Sequence, residues 1–325
     1  MEIDVRSSKI LDRRVTKNDQ VFGRQPEHWE AENNPHLRYM MAAMAEIDPK
    51  YTQRLIEQGD RIQNSLDKDI MDVSYRRQGS VTNNTHIRSN SDVDLLVITK
   101  KFYSVEPPNK PLHPYNGDAK QDILHLRSQC VDSLRNRYPE TMVDNTGSYS
   151  VAIEGGSLFC KVDVVPSNWC DSVRYIDYGH EFFRGIRVLD KDTLEYSINY
   201  PFLNNELLDA KDREHSGKLR RTIRLLKNIK ADADEDIALS SYDICSLIYR
   251  ISADTFTYND GVMNTAFQVI SGLKKVIDNA AYREGLLVID GSRKIFDKEE
   301  KVVSLGISLS YLYRLYMQAQ EAAVA

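Results

Sequence analysis

Hydrophobic residues change their spacing along this 325-residue chain. Between Pro35 and Ile70, and again from Gln121 to Tyr138, they recur every three or four positions, which is the period of an amphipathic helix. The runs VDLLVIT (93–99) and LFCKVDVVP (158–166) are instead short and largely apolar, as is typical of buried strands. This order of helices and strands predicts an α/β lobe with a mixed sheet.

Longer helical periods follow Pro201. Helices are predicted over about Lys211–Lys230, Tyr242–Asp254, Val262–Asn279 and Val302–Ala322. In contrast, the prolines between Phe102 and Asp118 predict an irregular loop. We therefore expect two domains, with residues 1–200 forming the first lobe together with the N-terminal helices, and residues 201–325 forming a C-terminal helical lobe.

Three aspartates interrupt the apolar strands. Asp92 and Asp94 lie two residues apart, so in a strand they project from the same face. Asp163 interrupts the second run in the same way. A carboxylate in an apolar strand is costly unless a cation or a donor compensates it, and three such acids predict a metal site. Taken alone, the first pair could also be a polar turn followed by an exposed Asp94.

A turn at Gly79 and Ser80 precedes the first pair of aspartates. It would place backbone N–H groups and one hydroxyl at the start of a short helix, where the charge of a triphosphate is favourable. Together, the turn and the acids predict a nucleotidyl-transfer site. Asp92, Asp94 and Asp163 would be its catalytic metal ligands, and Gly79 and Ser80 would contact the nucleotide.

Positive charge concentrates at 211–230, although the chain carries a formal net charge of -5. Arg220, Arg224 and Lys227 form one line at helical spacing, which suits a triphosphate. A solvated helical face is the alternative. The overall negative charge argues against a broad nucleic-acid surface, so we expect no long nucleic acid as a partner.

The GS pair, the D-x-D motif about a dozen residues later and the distant strand aspartate resemble the polymerase-beta-type nucleotidyltransferase superfamily. The spacing from Thr85 to Asp94, the VDVVP run ending at Pro166, and the segments HSGKLRRTIRLLKNIK and SSY resemble the bacterial cyclic-oligonucleotide synthases, the CD-NTases. These are relatives of cyclic GMP-AMP synthase and oligoadenylate synthase. The resemblance extends from about Tyr75 to Tyr249. Departures from the family pattern leave the clade and the product open; they stand at Asn204, Ile229 and Cys245.

The resemblance implies a mixed-sheet nucleotidyltransferase lobe followed by a helical lobe, with the active site in the cleft between them. It implies template-independent joining of nucleoside triphosphates into a cyclic di- or trinucleotide second messenger, with pyrophosphate release and two Mg²⁺ ions, for which Mn²⁺ could substitute. The implied role is anti-phage signalling. In the helical lobe, Arg220, Lys227 and Ser241 would contact nucleotide phosphates and Tyr242 would stack on a base.

Two other functions remain open from the sequence. One is an oligoadenylate synthase-like enzyme, or another nucleotidyltransferase, with a linear or small-molecule product. The other is a non-catalytic nucleotide-binding module, which the three acids disfavour.

A cytoplasmic location without membrane partners is expected, because the sequence shows no long apolar run and no leader. The four cysteines lack zinc-ligand spacing. Some CD-NTases are conjugated through their C-terminal residue by a ubiquitin-transfer-like partner, and Ala325 is compatible with such a partner. An ordinary frayed helix end is the alternative.

Overall fold

A computed structural model describes residues 34–88, 91–256 and 261–324. Their contacts form two compact units, residues 49–207 and residues 34–48 together with 208–324. From the sequence we expected the N-terminal helices to belong to the first lobe. Residues 34–48 group instead with the C-terminal helices, and the Asn34 side chain donates a hydrogen bond to the carbonyl of Ala319 at 2.7 Å.

The strands are β1 Val73–Gln78, β2 Val93–Val105, β3 Met142–Asp144, β4 Val151–Glu154, β5 Val162–Asp171, β6 Gly185–Leu189 and β7 Tyr196–Asn199. The helices are α1 Pro35–Met44, α2 Pro49–Leu66, α3 Gly79–Thr82, α4 Ala119–Arg137, α5 Val173–Tyr178, α6 Pro201–Glu214, α7 Lys218–Asp232, α8 Ser241–Thr255, α9 Val262–Asp278, α10 Ala280–Glu284 and α11 Glu299–Val324.

All strands within the described ranges join one mixed sheet, in the order β1-β2-β5-β4-β3, with β6 paired to β5 and β7 paired to β6. β2 and β5 run parallel, and the other pairs are antiparallel. This arrangement confirms the predicted α/β lobe. The predicted loop after Phe102 starts later than expected, because β2 continues to Val105.

The central strands are apolar on both faces. Leu95 and Val97 of β2 lie in a buried cluster with α2 and α4, whereas Leu96 and Ile98 lie in a second cluster that includes Trp169 of β5. Successive side chains of a strand point to opposite faces, so a strand covered on both sides becomes a continuous apolar run. This burial fixes the register of β2 against β5, since a slip by one residue would reverse every side chain.

The predicted helix Lys211–Lys230 is two helices. Ser216 and Gly217 adopt φ angles of 54° and 80°, a left-handed backbone that ends α6 and precedes α7. The other helices predicted for this region closely coincide with α8, α9 and α11. No helix in the described ranges is long and apolar enough to cross a bilayer.

A buried acid supports the start of α8. Asp243 is 1% exposed and forms a capping box with the N-cap residue Ser240. Its carboxylate pairs with Arg293 at 2.8 Å and with Lys301 at 3.1 Å. Burial alone would raise the pKa of Asp243, but the hydrogen bonds from Ser240 and Arg293 outweigh burial and hold this pKa below its ordinary value.

Replacing Asp243 with alanine should lower the free energy of unfolding by roughly 3 kcal/mol, because the change removes a helix cap and a buried partner of Lys301. Denaturant unfolding measures this loss. Asp297→Ala is the matched control: Asp297 also pairs with Lys301, at 2.8 Å, but is 40% exposed. Its loss should stay below about 1 kcal/mol.

The deficit of Asp243→Ala should depend on pH. Because the folded-state pKa of Asp243 is depressed, its contribution is present above the pKa of the unfolded residue and disappears as pH falls through the folded-state pKa. The difference from wild type should therefore shrink in acid. Equal stability of the Asp243 and Asp297 variants at neutral pH would contradict this account.

Candidate active site

Asp94 and Asp163 lie directly opposite each other on the parallel strands β2 and β5. On its other side, Asp94 pairs in register with Gln78 of β1. Alternation along the strands places both acids on the same face as Leu96 and Val165, the face opposite α2 and α4. Like charges opposed on one face of a sheet repel, so this position requires compensating positive charge.

Lys161 links Asp92 to Asp163, because its ammonium contacts both carboxylates. The ammonium of Lys161 lies 2.8 Å from Oδ2 of Asp163 and 3.6 Å from Oδ2 of Asp92. The adjacent backbones are joined as well, since the Val93 N–H donates to the Lys161 carbonyl at 3.2 Å. Of the three predicted acids, two are therefore opposed in register, and the third is linked to Asp163 through a shared cation.

Lys161 was not among the predicted site residues. The signal was present, because Lys161 stands two positions before Asp163 and an extended segment brings such residues to one face. Its link to Asp92, which is distant in sequence, becomes visible only in the folded sheet. Ser150 was missed in the same way, and its hydroxyl donates to Oδ1 of Asp163 at 3.5 Å.

Gly79 fits closely against Asp94. Its φ angle is 84°, a conformation that favours glycine, and a Cβ atom at this position would collide with the Asp94 carboxylate. Gly79 follows β1 directly and starts the single turn α3, in which its carbonyl accepts a hydrogen bond from the Asn83 N–H at 3.3 Å. The predicted turn is therefore present, with the half-buried Ser80 as its second residue.

Buried side chains anchor the chain shortly after α3. Thr85, His86 and Ile87 are at most 2% exposed, and His86 Nε2 lies 2.9 Å from the Thr52 hydroxyl of α2. These contacts fix His86 and its two neighbours against the core of this unit.

Two of the three cations in the α7 line are buried, and the third, Arg220, is half-buried. Arg220 pairs with Asp212 at 2.9 Å and also with Asp209. Arg224 is 2% exposed and donates to the Met44 carbonyl at 3.0 Å, and burial lowers its pKa to about 10. Lys227 is 4% exposed. This burial argues against a solvated face at Arg224 and Lys227, and the phosphate contacts of Arg220 and Lys227 stay predictions.

Ser241 and Tyr242 open α8 in the helical unit. Ser241 is exposed and Tyr242 is half-buried, with the Arg293 guanidinium 5.9 Å from the centre of its ring. Their backbone is held by the Asp243 capping box, in which the N-cap residue is Ser240. Their nucleotide contacts also stay predictions. The predicted conjugation site Ala325 lies outside the described residues.

Asp92, Asp94 and Asp163 carry the ligand chemistry of a Mg²⁺ site, since hard carboxylate oxygens are the ligands that this ion prefers. In the described residues, no three His, Cys, Asp or Glu side chains are grouped around one point. In this conformation, the Lys161 ammonium is placed between Asp92 and Asp163. The three acids thus fit a divalent cation by their chemistry, and Asp94 and Asp163 also by their register, once the Lys161 ammonium moves away.

Known proteins with a related sequence identify the family. The family model of the cGAS/DncV-like nucleotidyltransferase C-terminal helical domain matches residues 206–306. A cyclic dinucleotide synthase CdnE of Yersinia aleksiciae is 36% identical over 291 residues, which cover 86% of this chain and 76% of that protein. The chain belongs to the CD-NTase family.

Two further relatives agree with this assignment. A c-di-GMP synthase of a Lachnospiraceae bacterium is 32% identical over 249 residues, covering 69% of this chain and 71% of that protein. The structure of a STING-associated CdnE c-di-GMP synthase from Capnocytophaga granulosa matches with a TM-score of 0.77 at 28% identity, covering 96% of this chain and 93% of that one. The predicted polymerase-beta-like fold is confirmed, and this CD-NTase is a nucleotidyltransferase.

Gly79→Ala should reduce nucleotidyl transfer by more than about 100-fold, because the new methyl group displaces the Asp94 carboxylate. Gly155→Ala is the matched control. Gly155 has nearly the same φ angle, 83°, but nothing lies near an added Cβ atom. Both variants should lose similar stability through backbone strain, as measured by thermal unfolding. An equal loss of activity in both would show that strain, and not the collision with Asp94, is responsible.

Proposed function

We propose that this CD-NTase joins two nucleoside triphosphates into a cyclic dinucleotide through a metal-dependent site at Asp92, Asp94 and Asp163. The observation that carries the proposal is the register of Asp94 against Asp163 on two buried parallel strands. A protein core does not gain stability from opposed carboxylates. A charged ligand would account for their presence, and a nucleoside triphosphate with divalent cations is the ligand that we propose.

Two Mg²⁺ ions, or Mn²⁺ in their place, would be held by these acids and would stabilise the charge of the triphosphate while activating the attacking ribose hydroxyl. The residues of the chain hold this site in place. Gly79 leaves space for the Asp94 carboxylate. The Ser80 hydroxyl and the backbone N–H groups of the turn would contact a phosphate. In the helical unit, Arg220, Lys227 and Ser241 would contact phosphates and Tyr242 would stack on a base.

The names of two relatives support guanine as the base. Two of the three relatives described above are named as c-di-GMP synthases. We therefore propose GTP as substrate and c-di-GMP as product, with the cytoplasm as the site of synthesis and anti-phage signalling as the role. Conjugation of Ala325 by a ubiquitin-transfer-like partner is retained as part of this proposal.

Purified protein incubated with radiolabelled GTP and Mg²⁺ should yield a product that resists phosphatase, because a cyclic dinucleotide has no terminal phosphate. Each of the other three nucleoside triphosphates, tested alone and in pairs, serves as the comparison. Product that loses its label to phosphatase would establish the linear alternative, and product formed only from a mixed pair would overturn the guanine assignment.

Asp94→Asn should reduce product formation by at least about 1,000-fold, since it removes a ligand charge that acts on the transition state. Thermal stability without metal should remain level or rise, because one of the opposed charges is gone. Asp122→Asn is the matched control, since it removes one charge from a carboxylate on α4 that pairs with Lys101. Substantial activity in Asp94→Asn would defeat the metal-site assignment.

A further inference from the structure

Lys161 stands where a divalent cation would have to bind. Its ammonium lies 2.8 Å from an oxygen of Asp163 and 3.6 Å from an oxygen of Asp92. A single cationic side chain therefore bridges two of the three candidate metal ligands. An ammonium ion and a metal ion cannot both occupy the space between these oxygens, so binding of the metal requires the side chain to move.

The Lys161 side chain is able to move without disturbing the sheet. It is 34% exposed, whereas the side chain of Asp163 is 16% exposed. Its backbone stays tied to β2 through the Val93 N–H, and the ammonium sits at the end of a flexible four-carbon stem. Rotation of the stem into solvent would open the site while the two strands keep their register.

The charges explain why a lysine is present. Asp94 and Asp163 are opposed on one face, and Asp92 lies near enough to share a cation with Asp163. In the absence of metal these carboxylates repel one another, and the partly buried ammonium offsets part of that repulsion. The same ammonium opposes the arrival of a second positive charge.

We propose that Lys161 is a built-in counterion of the metal-free enzyme, which stabilises Asp92 and Asp163 and must be displaced by the divalent cation. The inference depends on the proposed metal site. Its consequence is that Lys161 sets the concentration of divalent cation at which the site fills. It is a positioning residue that acts through two acids.

Two effects of opposite sign follow from this role. Removing the Lys161 charge should destabilise the metal-free protein, and it should tighten binding of the metal because the competitor is gone. A lysine that serves only the fold would show the first effect alone. A lysine that serves only the chemistry would reduce turnover and change neither metal affinity nor metal-free stability.

The test compares wild type, Lys161→Gln and Lys161→Arg. Binding of Mn²⁺ is followed by electron paramagnetic resonance without nucleotide, and thermal unfolding is measured in chelator and in saturating Mn²⁺. We expect Lys161→Gln to bind Mn²⁺ about three- to tenfold more tightly, the scale of a partly exposed charge pair. Its melting temperature should fall by a few degrees in chelator and rise more than that of wild type on saturation with Mn²⁺.

Lys161→Arg keeps the charge and should bind Mn²⁺ within about twofold of wild type. Lys101→Gln is the matched control away from the site, because Lys101 pairs with Asp122 at 3.0 Å on the same unit. It should lower the melting temperature by a similar amount and leave Mn²⁺ affinity unchanged.

Equal Mn²⁺ affinity in wild type and Lys161→Gln would overturn the inference while leaving the metal site intact. A tighter Lys161→Arg variant would also overturn it, because side-chain shape and not charge would then be responsible. Wild-type protein that binds no Mn²⁺ would overturn the metal assignment and the inference together. Where wild type binds Mn²⁺, loss of that binding in Asp94→Asn locates the ion at the site.

Discussion

Repulsion between Asp94 and Asp163 is the constraint on which the rest of the sheet depends. The two carboxylates are opposed in the parallel register of β2 and β5, next to the fully buried Leu95 and Val164. That arrangement costs free energy in the absence of a ligand. Apolar clusters on both faces of the sheet offset the cost, and they prevent the strands from slipping into a register that would separate the charges.

The same constraint accounts for the residues around the acids. Gly79 has no side chain because the Asp94 carboxylate occupies the space that a Cβ would take. Lys161 lies against Asp163 and Asp92, where an opposite charge lowers the energy of both. Thr85 and His86, which precede Asp92 in the chain, are buried and anchor their own segment to the core. Fold and site are thus specified by overlapping sets of residues.

Features encoded by short-range spacing could be predicted from the sequence. The alternation around Asp94 and Asp163, the preceding glycine turn and the helical periods each depend on residues close together in the chain. Features that depend on folding could not be predicted. The Lys161–Asp92 ion pair joins two residues that each stand just before a strand, β5 and β2, and these strands meet only in the folded sheet. The grouping of residues 34–48 with the C-terminal helices likewise depends on packing between elements that are far apart in sequence.

The basic helix shows why a charge pattern alone misjudges a binding surface. The left-handed backbone at Ser216 and Gly217 brings α7 back against α6, so that Arg220 meets Asp209 and Asp212. Arg220 therefore already has two acidic partners, as Lys161 does at the sheet.

A phosphate that binds either cation replaces one ionic partner by another, so the free energy gained is the difference between two interactions. The affinity of such a site for phosphate should depend less on salt concentration than that of a free surface cation. Salt weakens the ion pairs of the unbound state as well as those of the bound state. The number of lysines and arginines on α7 therefore overstates the charge that this helix has available for a phosphate.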